Sequence, residues 1–207
     1  DRCIAWHGEH APDGQLLFGI VQGGLHEDLR RESVDYIAGA ELDGVAVGGS
    51  LGRDKDEMRQ VVDWSLRDLP EERPRHLLGI GDVDDIVHAV SAGIDLFDCA
   101  TPTRLGRHGT ALVPDPEARW RLDLNRSAHA RSREPIQEGC SCPACRNHTR
   151  AYLHYLARAR EPTAMRLLTL HNLTFMSELM RGIRDAIAAG DLDRHVERIL
   201  SPGCGPA

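Results

Sequence analysis

Residues 16–24 read L-L-F-G-I-V-Q-G-G, an apolar run closed by an amide and two glycines, and its length suits a buried strand. The same grammar returns three times. G-V-A-V at 44–47 runs into Gly48, Gly49 and Ser50; H-L-L-G-I at 76–80 brings Gly79 and Gly81; I-D-L-F-D-C at 94–99 closes around Asp98. Stretches with helical spacing lie between them, at 25–40, 55–69 and 84–92, and in the second Met58, Val61, Val62 and Leu66 fall on one face. Strand and helix in alternation require parallel strands joined by right-handed crossovers. Four such units make half of a (β/α)8 TIM barrel or a small open sheet. Each strand ends in something chemically distinctive, at the rim where a barrel keeps its active site. Tight strand-to-helix turns are the alternative use of such glycines.

Beyond Arg107 the alternation dissolves into Pro114, Pro116, Pro135 and scattered arginines, as an insertion would. Within it, Cys140, Cys142 and Cys145 stand in C-S-C-P-A-C, and His171 follows in M-R-L-L-T-L-H-N-L. Three thiolates and an imidazole are the ligand set of a closed, structural zinc site. A disulfide pair with a spare thiol is the alternative reading of the cysteines. An acidic chain without secretory features argues instead for a reducing, cytoplasmic compartment. Helices are expected at 146–160, 163–173 and 174–189. The domain reading is therefore a half-barrel over 1–107 and a zinc-binding insertion with closing helices over 108–207. Cys3, Cys99 and Cys204 have no spacing logic and read as free thiols, and the tail 204–207 reads as frayed.

The composition of the 207 residues, 41% hydrophobic but 4% aromatic, supports a core. No run has the length of a membrane span, and D-R-C-I-A-W-H lacks the pattern of a signal peptide. With no initiator Met, and opening inside an apparent helix, the chain reads as a piece of something longer. Its net charge of −7 hides an asymmetry: residues 101–160 hold eleven Arg against five Asp or Glu, +6, and the remainder holds 14 basic and 27 acidic residues, −13. A basic block in an acidic chain suits an anionic partner, phosphate backbone first, or else a solvated surface.

Strand alternation places Ile94, Leu96 and Asp98 on one face and Asp95 on the other. A carboxylate at a barrel mouth can attack an anomeric carbon and hold a glycosyl intermediate. It can equally cap the next turn or pair with Arg104 or Arg107. Gln22 offers an amide suited to the edge of a planar heterocycle, or to a strand-end hydrogen bond, and the Gly48–Gly49 backbone admits close approach. Arg104 and Arg107, on a loop around Gly106, are spaced to reach adjacent phosphates.

F-G-I-V-Q-G-G, V-A-V-G-G, H-L-L-G-I-G, G-I-D-L-F-D-C-A-T-P-T-R-L-G-R and the C-x-C-x-x-C…H set, in this order through nearly the whole chain, resemble the second half of a tRNA-guanine transglycosylase. The resemblance implies a zinc-stapled (β/α)8 barrel, a pentosyltransferase that exchanges the anticodon wobble guanine of tRNA for a 7-deazaguanine, queuine or its aminomethyl precursor. Asp98 then matches the nucleophile, and Gln22, Gly48, Gly49, Ser50 and Leu78 match the base-binding positions. Leu78 stands where the family usually has Met. Thr103, Arg104 and Arg107 match the grip on the anticodon loop, and Cys140, Cys142, Cys145 and His171 match the zinc ligands. A homodimer is implied as well.

Two departures qualify what the resemblance implies. Where the bacterial branch usually reads L-A-V-G-E after V-G-G, this chain reads S-L-G-R-D-K, with Arg53 near the Glu position and one residue fewer. The family's general acid/base Asp and its second base-reading Asp have no counterpart in these residues. One carboxylate cannot do both jobs of a two-carboxylate exchange, so the expectation is that this chain is inactive alone. A non-catalytic, zinc-stapled tRNA-binding partner subunit of the same fold is the alternative.

Overall fold

The computed structural model describes residues 1–201; the reading of Cys204 and the tail lies outside them. The chain divides into two compact units, one spanning Asp1–Cys99 and the other beginning at Ala100. The sequence reading had carried the first region to 107.

The first unit opens with helix α1 (Arg2–His10) and then alternates: β1 (Phe18–Val21), α2 (Glu27–Gly39), β2 (Gly44–Val47), α3 (Lys55–Leu66), β3 (Arg75–Leu78), α4 (Val83–Ser91) and β4 (Leu96–Asp98). The strands form one parallel sheet in the order β1-β2-β3-β4. The fold class is mixed α/β with a parallel sheet. Helix starts follow local chemistry: Asp54 caps α3 by accepting from the backbone N–H groups of Asp56 and Glu57 at 3.1 and 2.9 Å. Lys55 then ties α3 to α4, with Nζ 2.6 Å from Asp84 and 2.9 Å from Asp85.

The register pairs Val21 with Val47, Val47 with Leu77, and Leu77 with Phe97. Val21, Val47 and Leu77 are fully buried among the helices with Val34, Ile37, Val62 and Leu66, and Phe97 packs against them. Alternation sends the neighbours of this row to the other face. There Ile20 and Leu96 remain exposed at 46% and 45%. Leu96 and Asp98 share that face as the strand pattern requires. Ile94 does not: it precedes β4 and lies buried in the helix-side core. Asp95 is occupied structurally, accepting from the Arg75 N–H at 2.8 Å.

The second unit contains helix α5 (Thr101–Arg107), an antiparallel pair β5 (Thr110–Leu112) and β6 (Arg121–Asp123), a 3-10 turn at Ser127–His129, and helices α6 (Pro143–Asn147), α7 (Arg150–Arg158), α8 (Pro162–Ala189) and α9 (Leu192–Leu200). Arg104 and Arg107 therefore stand on a helix, not a loop. The two helices expected over 163–189 are one. Nothing at Leu173 or Thr174 breaks the backbone, and the Thr174 hydroxyl donates back to the Leu170 carbonyl at 2.9 Å. Termination waits for Gly190, left-handed at φ 69°.

Helix α8 organises this unit. A Cβ at Gly106 would stand 2.8 Å from the Thr169 backbone N, so glycine lets α5 press directly on α8. Asn172, fully buried, accepts from Leu112 N–H at 2.7 Å and donates to Pro102 O at 2.9 Å and Thr110 O at 3.1 Å. One amide thus joins α8, α5 and β5. Asn172→Ala removes the side-chain partner of three backbone groups at a buried site and is expected to cost about 2–4 kcal/mol. Thermal unfolding of the variant, read beside an unchanged zinc content, checks this.

Candidate active site and metal centre

The sheet row after Val21, Val47, Leu77 and Phe97 is Gln22, Gly48, Leu78 and Asp98. The pairing of Leu78 with Asp98 and the Gly48 N–H donated to Val21 O at 3.2 Å fix it. These four residues lie side by side on the face away from the helices, at the C-terminal ends of the strands. Glycine at 48 is a matter of space: a side chain there would run into Ile20, Leu78 and the Gln22 amide. Gly49 is left-handed at φ 80°, and a Cβ on it would overlap the Gln22 amide oxygen. The Gln22 side chain thus lies against the Gly49 backbone, with Gly49 and Ser50 exposed beside it. An amide that both donates and accepts, next to an accessible backbone, can read the edge of a planar base.

Asp98 is open to solvent, its side chain 61% exposed. Its Oδ1 accepts from the Gly79 N–H at 3.2 Å. His76 Nε2 approaches the same oxygen at 3.1 Å without hydrogen-bond alignment, and this buried nitrogen has no hydrogen-bond partner. Two groups therefore converge on Oδ1. His76 escaped the sequence reading because a histidine in an apolar strand reads as filler; only the register sets it beside Asp98. Thr103, Arg104 and Arg107 belong to the other unit. There the two arginines are exposed and receive local support, Arg104 Nη2 donating to Thr101 and Arg107 Nη1 to Thr103, both at 3.3 Å. Part of the basic block is structural. Arg150 donates to Pro135 O at 2.7 Å and Ile136 O at 2.8 Å and pairs with Glu134 at 3.2 Å.

The metal centre is complete in its donors. Ligand atoms of Cys140, Cys142, Cys145 and His171 lie within 4.8 Å of one another. His171 Nδ1 stands 3.7, 3.4 and 3.4 Å from the three sulfurs in that order. Tetrahedral zinc, with its usual bond lengths to sulfur and nitrogen, requires a separation of roughly 3.6 Å. The opposite ring nitrogen, Nε2, donates to Leu112 O at 2.7 Å, which aims Nδ1 at the sulfurs. Cys142 also caps α6, accepting from the Cys145 N–H at 3.3 Å. Protons are shared unequally: hydrogen bonding from Cys145, aided by His171, pulls Cys142 down to about 3. The same bond, with burial, pushes Cys145 up. A divalent cation satisfies all three sulfurs at once. With three ligands buried and the fourth half-buried, this Cys3His cluster fits a structural zinc site. The described cysteines are all free, including Cys3 and Cys99.

The family model described as "TGT: Queuine tRNA-ribosyltransferase" matches residues 1–202. The chain belongs to that family. It is 48% identical over 198 residues to the queuine tRNA-ribosyltransferase of Roseiflexus sp. (strain RS-1), covering 91% of this chain and 50% of that protein. The corresponding protein of Symbiobacterium thermophilum is 45% identical over 200 residues, covering 96% and 48%, and that of Deinococcus radiodurans 46% over 192, covering 90% and 48%. The chain spans about half the length of these curated queuine tRNA-ribosyltransferases. Among the described residues no helix is long and apolar enough to cross a membrane.

Cys142→Ser is expected to lower zinc content well below one per chain and to depress the melting temperature. Acidification should release the metal, because thiolates and imidazole take up protons as zinc leaves. Metal analysis of the purified variant, and of wild type titrated downward in pH, checks both.

Proposed function

We propose that these residues form the nucleophile-bearing half of a tRNA-guanine transglycosylase barrel, with the zinc-binding segment and closing helices as an appended staple. The observation that carries the reading is the row of Gln22, Gly48, Leu78 and Asp98 on one exposed face at the carboxyl ends of parallel strands. Parallel sheets are ordinarily covered on both faces, so the exposed Ile20 and Leu96 support a closed barrel in which this face turns inward.

In the proposed exchange, the anticodon wobble guanosine of tRNA enters with its base against Gln22, the Gly48–Ser50 backbone and the Leu78 side chain. An Asp98 oxygen attacks ribose C1′ as the bond from C1′ to guanine N9 breaks, giving a covalent ribosyl ester. With Oδ1 accepting from the Gly79 N–H, Oδ2 is the oxygen left to attack. A 7-deazaguanine, queuine or its aminomethyl precursor, then attacks C1′ through N9 and returns the electron pair to Asp98. One glycosidic bond replaces another, so no external energy source enters. A second carboxyl group must protonate the leaving guanine and deprotonate the incoming base. Family resemblance assigns that work to an aspartate with no counterpart in these residues, and the chain alone is inactive on this reading. Thr103, Arg104 and Arg107 hold the anticodon-loop backbone. Zinc, when bound, supplies rigidity and takes no part in the chemistry.

The working form is a cytoplasmic homodimer. The exposed Tyr152 and Tyr155 of α7, close in sequence to the zinc ligands, support that region as its interface.

Labelled guanine should enter unmodified tRNA with the full-length gene product, and Asp98→Asn should abolish incorporation while tRNA affinity stays near wild type. Failure of a folded, zinc-loaded wild-type protein to incorporate guanine would favour a non-catalytic tRNA-binding subunit of the same fold. Arg104→Ala should weaken tRNA binding and reduce the slope of log affinity against log salt by about 1. An unchanged slope removes Arg104 from the phosphate contacts.

A further inference from the structure

Arg30 lies on the first turns of α2, where an amphipathic helix would ordinarily show an arginine to solvent, yet it is fully buried. Its guanidinium donates from Nε to Gly24 O at 3.0 Å, from Nη1 to Val21 O at 3.3 Å and from Nη2 to Ser50 O at 3.0 Å. Among the described residues it makes no ion pair, and burial lowers its pKa from the ordinary arginine value. A buried cation without a carboxylate is costly, and only well-aimed dipoles offset it. Those dipoles come from the end of β1 and from two separate strand-to-helix loops, one following Gln22 and the other carrying Gly48, Gly49 and Ser50. Gly23 makes the approach possible: a Cβ there would stand 2.6 Å from Arg30 N, so only glycine lets α2 begin this close to the loop.

The geometry points to Arg30 as a positioning residue for base recognition, a three-pronged clamp that sets the Gln22 loop against the Gly49–Ser50 loop. This rests on the base-exchange reading above. A planar base is read by the Gln22 amide and the Gly49 backbone together, and hydrogen bonds weaken steeply when donor and acceptor drift out of line. Neither loop holds the other directly with a backbone hydrogen bond beyond Gly48 N–H to Val21 O. The planar fork serves three acceptors in fixed directions; a lysine ammonium on a flexible stem cannot.

The test uses the full-length gene product with labelled guanine as the probe. In Arg30→Lys and Arg30→Met the KM for guanine should rise about 10- to 100-fold, the scale of losing one or two hydrogen bonds to the base. The KM for tRNA should stay near wild type, and kcat at saturating guanine should fall far less. A folded Arg30→Met with the wild-type guanine KM overturns the proposal. So does a variant in which guanine KM, tRNA KM and kcat all worsen by similar factors, since that is general structural damage. Should the variants fail to fold, the wild-type protein still decides. The Arg30 Nε–H should exchange with solvent slowly, and more slowly when guanine is saturating; exchange as fast as that of a surface arginine overturns the clamp. Should wild type not exchange guanine at all, the base-exchange reading fails by itself. The clamp is then judged by backbone hydrogen exchange over residues 22–24 and 48–52. Faster exchange there in Arg30→Lys, with the strand amides unchanged, sustains it, and no change overturns it.

Discussion

The hydrogen bond from His171 Nε2 to the Leu112 carbonyl orders much of the second unit. An imidazole can face three sulfurs only if its other nitrogen is held, and a buried imidazole left unheld would carry an unpaired donor. Leu112 O holds it, and the next helix residue, Asn172, takes the Leu112 N–H. Two consecutive residues of α8 therefore grip both backbone groups of one strand residue. Asn172 continues to Pro102 O, at the start of the helix that carries Thr103, Arg104 and Arg107. Metal, long helix, strand and arginine-bearing helix form one chain of contacts. A staple that takes no part in chemistry can still decide how two arginines are presented.

In the first unit the corresponding constraint is the period of two along a strand. With Val21, Val47, Leu77 and Phe97 turned to the helices, Gln22, Gly48, Leu78 and Asp98 have no choice but the opposite face. Much of this was legible in the sequence. Four short apolar runs with helical stretches between them have few other solutions, and the observed strands begin and end within two residues of the runs at 16–22, 44–47, 76–80 and 94–99. Ile94 was misplaced because alternation was extended past the true strand start, into the turn leaving α4.

The second unit was less legible for identifiable reasons. A-T-P-T-R-L-G-R has a proline and a glycine in eight residues, and intrinsic propensity argues against a helix. Helix α5 exists because Gly106 lets it lie against Thr169, a tertiary fact invisible in the local string. Strands of three residues, β5 and β6, are too short to show a period. Helix α9 did carry a signal, with Leu192, Val196, Ile199 and Leu200 at helical spacing, and could have been found. The zinc ligands were legible because metal chemistry fixes residue type and leaves little to context. His76 and Arg30 were not, since each gains its meaning from a register or a loop fold that brings distant residues together.

Why the space under the loops at Gln22–Gly24 and Gly48–Ser50 holds an arginine is a question of acceptors more than of volume. Leucine or methionine could fill it, but the carbonyls of Val21, Gly24 and Ser50 would then lack their common partner. Gly24 is half-buried and Ser50 exposed, so each carbonyl has water to turn toward. Such relaxation would spare stability while spoiling the alignment of Gln22 with Gly49. A guanidinium converts that soft arrangement into a stiff one, because release of any one carbonyl weakens the compensation of a charge that cannot leave. Fold stability alone therefore gives a weak reason for a buried charge here, and holding two loops in register gives a strong one.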